Sequence, residues 1–347
     1  MGVGAMGNAI DAYMLGLYRD AGKRFMISDV IDNGVDLRAW QDDLRAAFRG
    51  ALGAWPAPVD LNVHEIESVK RPGYTRVKLS YRSEASLDTI AYLLIPDGIT
   101  SPVPAVVACT GHGYGVREIV GITEDFRERE GEPTYQKDFG LECARRGYVV
   151  IAPEPLGFGE MMLEDDIINN RGNSCDRISD NLLLFGRTMA GARVRQYIAA
   201  VSLLAHIKEA DSNRVGTMGI SGGGLTASFL TMLDPRVKAL VASGYPCMYA
   251  RSIYDMHHCV DNFPIGLLNI AENDALMALV APRPMLWESG SKDPIFPRKG
   301  VEEAAESVAR LYAHMGAADM FEADYFEGDH EISGKMAYAF FERHFNK

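Results

Sequence analysis

Ser221 stands at the centre of Gly219-Ile220-Ser221-Gly222-Gly223, the only G-x-S-x-G in the 347-residue chain. An apolar strand signal over residues 215–220 runs straight into it, and a helical signal from Leu225 runs out. A serine at so tight a strand-to-helix turn is held in a strained backbone conformation that pushes its hydroxyl into a cleft. Glycines must flank it, because a Cβ there would collide with the neighbouring strand or helix. The amide of Gly222, opening the helix, then points at a developing oxyanion. This predicts nucleophilic attack on a carbonyl carbon.

A serine hydroxyl is a poor nucleophile until an imidazole takes its proton. Of the eight histidines, His330 sits in the loop 326–331, between the last strand signal and the last helix signal. His206 and His314 fall within helical segments, His64 precedes the sheet core and His344 is nearly terminal. The acid that orients the imidazole is predicted at Asp293, in Ser289-Gly290-Ser291-Lys292-Asp293-Pro294 after the strand signal 284–288. Glu288 inside that strand and Asp329 beside the histidine are alternatives. Nucleophile, acid and histidine follow one another, each after its own strand, in one of the three chain orders that serine hydrolases use.

A second oxyanion donor is expected from the glycine-rich loop Thr110-Gly111-His112-Gly113-Tyr114-Gly115, after the strand signal 105–109. It is assigned to the amide of Tyr114, with Gly113 close behind; His112 is expected to brace the loop. These donors act on charge that exists only in the tetrahedral state.

The elements that must position these groups are legible around them. Residues 8–53 read as helical, with Leu37, Trp40, Leu44 and Phe48 on one face. Three antiparallel strand signals follow at 63–69, 75–81 and 89–95. Beyond residue 100, strands at 105–109, 148–152, 215–220, 239–243, 285–288 and 321–326 alternate with helices at about 135–146, 190–209, 222–233, 299–315 and 333–345. That alternation predicts a mostly parallel sheet with helices on both faces and its chemistry beyond the carboxyl ends of the strands. Residues 1–58 are read as a helical N-terminal extension and 59–347 as the catalytic domain. Two connections, 154–188 and 244–273, are too long for simple crossovers and read as lid-like insertions.

Composition narrows the partners. A net charge of −12 lacks the basic footprint of nucleic-acid binding and favours a small, neutral or weakly charged substrate. No apolar run is long enough to span a bilayer and no secretory leader is evident, so a soluble, cytoplasmic protein is expected. Five cysteines without a CxxC pair argue against a disulfide framework and a zinc ribbon. Gly2-Val3-Gly4-Ala5-Met6-Gly7 matches a dinucleotide fingerprint but has only Met1 before it, where a strand is required. No cofactor is expected. Asp255-Met256-His257-His258-Cys259-Val260-Asp261 collects metal-friendly side chains, yet adjacent histidines do not share a helical face and the sequence shows no partner pair. The segment is expected to line the substrate cavity, with His258 as a contact and no metal. Ile10, Tyr13, Met14 and Leu17 could form a surface for homo-oligomer association.

Together these motifs resemble the α/β-hydrolases related to acetyl xylan esterases and dienelactone hydrolases. The likeness runs from about Leu37 and includes Trp40 and Leu44, residues 91–96, Gly111-His112-Gly113, and Gly186-Arg187 with Ala190-Gly191. It continues through Gly219–Gly223 and Ala281-Pro282-Arg283-Pro284 leading to Lys292-Asp293-Pro294. The resemblance implies an α/β-hydrolase fold, a triad at Ser221, Asp293 and His330, and activity on acetylated sugars or other small esters. Dienelactone hydrolases proper use a cysteine nucleophile where this chain has Ser221. Related folds cleave C–C, thioester or lactone bonds with the same triad, so the bond itself is not fixed by these residues.

Overall fold

The computed structural model describes residues 9–345; the Gly2–Gly7 motif lies outside them. Among the described residues, nine strands form one sheet: β1 (His64–Arg71), β2 (Tyr74–Glu84), β3 (Leu87–Pro96), β4 (Val103–Cys109), β5 (Val149–Pro153), β6 (Ala210–Ile220), β7 (Val237–Ser243), β8 (Met285–Gly290) and β9 (Phe321–Phe326). Their spatial order is β1-β2-β3-β5-β4-β6-β7-β8-β9. β1, β2, β3 and β5 pair antiparallel; from β5 across to β9 every pair is parallel. The antiparallel lead-in and parallel remainder are the arrangement predicted from residues 63–326.

β4 lies between β5 and β6, so the chain leaves it first toward one edge and then toward the other. At such a reversal the strand-end loops diverge and open a crevice. Alternation along β4 supplies both cores, with Ala105 and Val107 facing one and Val106 and Ala108 the other. Helices Met189–Leu204, Gly222–Leu233 and Arg298–His314 pack in the first core, Phe139–Arg145 and Ala337–Phe345 in the second.

Helix Leu37–Ala51 starts where the Asp36 carboxylate accepts the Ala39 N–H at 2.9 Å, satisfying an otherwise orphaned first-turn donor. Trp40, Leu44 and Phe48 are buried as their spacing predicts, and Phe48 meets Phe229 edge-on at 4.7 Å. Burial of each such side chain stabilises the fold by about 1.5–3 kcal/mol. Helix Ala9–Asp20 buries no residue, and Tyr13, Met14 and Leu17 are exposed. No helix among the described residues is long and apolar enough to cross a membrane.

The two long insertions are not simple loops. The first contains helices Glu164–Ile168 and Cys175–Leu184, the second the short helix Leu267–Ile270. Helix Cys175–Leu184 buries Cys175 and Ser179 and leaves Leu183 and Leu184 exposed.

Candidate active site

The backbone of Ser221 has φ 58° and ψ −127°, immediately before helix Gly222–Leu233. A non-glycine residue holds that conformation only where its surroundings impose it. Here the Ser221 N–H is bonded to the Ser243 carbonyl at 3.0 Å, and the helix begins at the next residue. A Cβ on Gly223 would overlap the Cys109 carbonyl of β4, so the close approach of helix and strand behind the serine requires glycine. The steric reason inferred from the motif is therefore present.

His330 follows β9 and Asp293 follows β8. Nδ1 of His330 lies 2.7 Å from Asp293 Oδ2. The other carboxylate oxygen accepts the N–H groups of Ile295 at 3.0 Å and Phe296 at 2.9 Å. Asp293 is thus fixed by its own turn and buried, with 1% of its side chain exposed. With Nδ1–H donating to the carboxylate, Nε2 carries the lone pair; it is buried and has no hydrogen-bond partner among the described residues. Tyr135 and Phe296 stack on the imidazole at 5.8 and 5.7 Å, which fixes the ring plane. Gly244 admits the ring: it has φ +47°, and a Cβ there would sit 2.8 Å from His330 Cε1.

The alternative acids are engaged elsewhere. Asp329 is exposed. Glu288 is buried within β8, where it accepts hydrogen bonds from the Ser243 hydroxyl at 2.5 Å and the Gly334 N–H at 2.9 Å. Burial raises the Glu288 carboxyl from 4.5 to about 7, against the opposing effect of those donors. A carboxyl whose folded value is raised contributes stability that is full below pH 4.5 and is lost as pH climbs through about 7. The loss is on the order of 3 kcal/mol. Glu154, also raised to about 7 by burial, adds a slope of the same sign. Glu288→Gln is therefore expected to flatten part of the fall in unfolding free energy between pH 4.5 and 7, read by denaturant titration at several pH values. An unchanged slope would show that Glu288 is not the group responsible.

Ser221 and His330 line one pocket of about 340 Å³, together with His112, Tyr135, Gly222, His257, His258, Cys259, Asn262, Ile295 and Phe296. A larger concavity of about 1060 Å³ lies among Arg45, Arg49, Trp55 and Arg195. It contains none of the predicted triad, and the smaller pocket is the one at the strand ends. His258, the predicted substrate contact, lines that pocket with its Nε2 3.0 Å from the Ser252 hydroxyl.

Of the predicted oxyanion donors, Gly222 lines the pocket. Gly113 and Tyr114 lie in the adjacent loop and are not among its lining residues. The Tyr114 hydroxyl donates to the Ile122 carbonyl at 3.0 Å, and a Cβ on Gly113 would overlap the Glu118 carboxylate. His112 is the residue of this loop that reaches the pocket. The loop is held by Gln136, whose Oε1 accepts the Gly111 N–H at 2.8 Å, and by the Tyr135 hydroxyl, which donates to the His112 carbonyl at 2.6 Å. Tyr135 and Phe296 were not singled out from sequence. Phe296 carries a signal in its place three residues after Asp293; Tyr135, in a polar stretch, carries none.

Behind His112, the second insertion meets the first. Asp261 and Arg193 form an ion pair, with 1% and 2% of their side chains exposed. Arg193 also donates to Cys175 Sγ at 3.1 Å.

The sequence and fold have relatives. The family model described as "Abhydrolase family" matches residues 23–297. The Bacillus subtilis (strain 168) protein named "Putative hydrolase YtaP" is 27% identical over 235 residues, 67% of this chain and 74% of that protein. Among solved structures, a "putative acetyl xylan esterase" from Bacteroides fragilis NCTC 9343 superposes with a TM-score of 0.77 at 20% identity, covering 94% of this chain and 84% of that one. A glucuronoyl esterase from Solibacter usitatus gives a TM-score of 0.64 at 15% identity, covering 87% and 91%. The two structural likenesses bear on the fold and agree with the sheet described above. The family match spans most of the sheet and includes both the serine turn and Asp293, and on that ground the chain belongs to the Abhydrolase family.

Proposed function

We infer that this hydrolase-family protein is a serine esterase that cleaves a carboxylic ester of a small, uncharged substrate, such as an acetylated sugar, through an acyl-enzyme. The observation that carries this reading is the strained Ser221 sharing a pocket with an imidazole whose Nδ1 is held by Asp293 and whose Nε2 has no partner among the described residues. Ser221 attacks the ester carbonyl while His330 Nε2 takes its proton, and the imidazolium that forms is stabilised by the Asp293 carboxylate. The oxyanion lies against the Gly222 amide and a second amide from the loop at His112, Gly113 and Tyr114. His330 returns the proton to the departing alcohol, and water then releases the acid by the same steps in reverse roles.

The similarity to acetyl xylan and glucuronoyl esterases supports an ester of a carbohydrate. A pocket of about 340 Å³ is at the small end for ligand sites, which supports a short acyl group. The purified protein is expected to react at Ser221 with a fluorophosphonate and to release acetate from acetylated sugars faster than it releases methanol from uronic acid methyl esters. Thioesters and lactones in the same panel test the bond. Absence of both fluorophosphonate labelling and an acyl-enzyme burst with an activated ester would defeat the reading.

A further inference from the structure

The geometry points to a divalent-metal site of the zinc class in the wall of the pocket, built from His112, Cys175, Cys259 and Asp261. One ligand atom from each of these four residues lies within 4.8 Å of every other. A tetrahedral zinc ion with bonds of about 2.0–2.3 Å separates its ligand atoms by roughly 3.3–3.8 Å, so one ion fits the cluster with shifts of under about 1 Å. His112 Nε2 and Asp261 Oδ2, at 3.6 Å, already have the spacing of such an edge and are too far apart for a hydrogen bond.

Three further features point the same way. His112 Nε2 is buried without a hydrogen-bond partner among the described residues, a state that polar atoms in folded proteins seldom keep. The donor set of two sulfurs, one imidazole and one carboxylate is soft, which selects zinc-like ions over magnesium or calcium. Charge balances as well. On binding, the cysteine thiols give up their protons to solvent, and two thiolates and a carboxylate set against the Arg193 guanidinium then leave two negative charges, which the divalent cation neutralises. Arg193 donates to both Asp261 and Cys175. A thiolate sulfur and a carboxylate oxygen each keep lone pairs for a metal, so the guanidinium acts as an outer partner that orients them.

His112 and Cys259 both line the pocket, which gives an ion its path in. Bound there, the ion would tie the loop after β4 to both insertions. A Cβ on Gly222 would lie 3.0 Å from His112 Cε1, so the tie reaches the residue beside the nucleophile.

The proposal does not rest on the esterase reading, and its test reads metal directly. The full chain, stripped with a chelator under reducing conditions, is titrated with Co2+. One equivalent is expected to produce the sulfur-to-cobalt charge-transfer absorbance and the visible bands of a four-coordinate ion, displaced by Zn2+. Cys259→Ser and His112→Ala are each expected to weaken Zn2+ binding, measured against a chromophoric competitor, by about 100-fold or more. His64→Ala, on an exposed part of β1, should leave it unchanged. Circular dichroism and thermal unfolding establish that the variants fold, and the wild-type titration stands whether or not they do. A cobalt spectrum without charge transfer, or Zn2+ affinity untouched in a folded Cys259→Ser, overturns the site. So does a Cys175–Cys259 disulfide in wild-type protein isolated from zinc-replete cells, which would make the pair a redox device.

Discussion

Ser221→Ala is expected to lower the turnover of p-nitrophenyl acetate by about 100,000-fold, to the level that binding and oxyanion donors alone provide. Alanine keeps the Cβ, so the strain at φ 58° is unchanged and the unfolding temperature should stay within a few degrees of wild type. Ser221→Gly should be equally inactive yet more stable by about 1 kcal/mol or more, because glycine adopts this backbone conformation without cost. The pair of variants separates chemistry from conformation. If Ser221→Ala keeps more than about 1% of wild-type activity, beyond what host-esterase controls explain, the nucleophile lies elsewhere.

The second large effect is expected from Asp293→Asn: a fall in kcat/KM of about 1,000- to 10,000-fold at neutral pH, with the fold intact. The Asn side-chain oxygen can still accept the Ile295 and Phe296 amides, as Asp293 Oδ1 does. Its NH2 group then faces His330 Nδ1 and forces that nitrogen to accept, which moves the ring proton to Nε2. An Nε2 that carries a proton cannot take one from Ser221. Fluorophosphonate labelling of Ser221 should slow in parallel, whereas Asp329→Asn, at an exposed position, should change activity by no more than about threefold. Comparable losses in the two variants would mean that His330 is oriented by a group other than Asp293.

These expectations draw on features of different visibility in the chain. The serine turn is local: an apolar strand, three glycines in the next four residues and a helix are written consecutively. The acid was less so. Glu288 and Asp293 are five residues apart, and both follow the pattern of a carboxylate near a strand end. The direction of β8 separates them, turning Glu288 toward Ser243 and carrying Asp293 past the strand end to His330. The loop at Gly113 and Tyr114 was found by its glycines, but sequence could not say that His112 faces the pocket while the Tyr114 side chain turns to Ile122.

The primary structure by itself determined the succession of antiparallel and then parallel strands, the helical lead-in and the turn at Ser221. Hydrophobic periodicity and glycine spacing act over a few residues, and so are visible in order along the chain. Only the tertiary structure decided which carboxylate meets the imidazole, which aromatic rings hold it, and that Cys175 and His112 stand beside Cys259 and Asp261. Those meetings depend on where the sheet's reversal at β4 sends separate loops, and the residues that meet are tens of positions apart with no local pattern to link them.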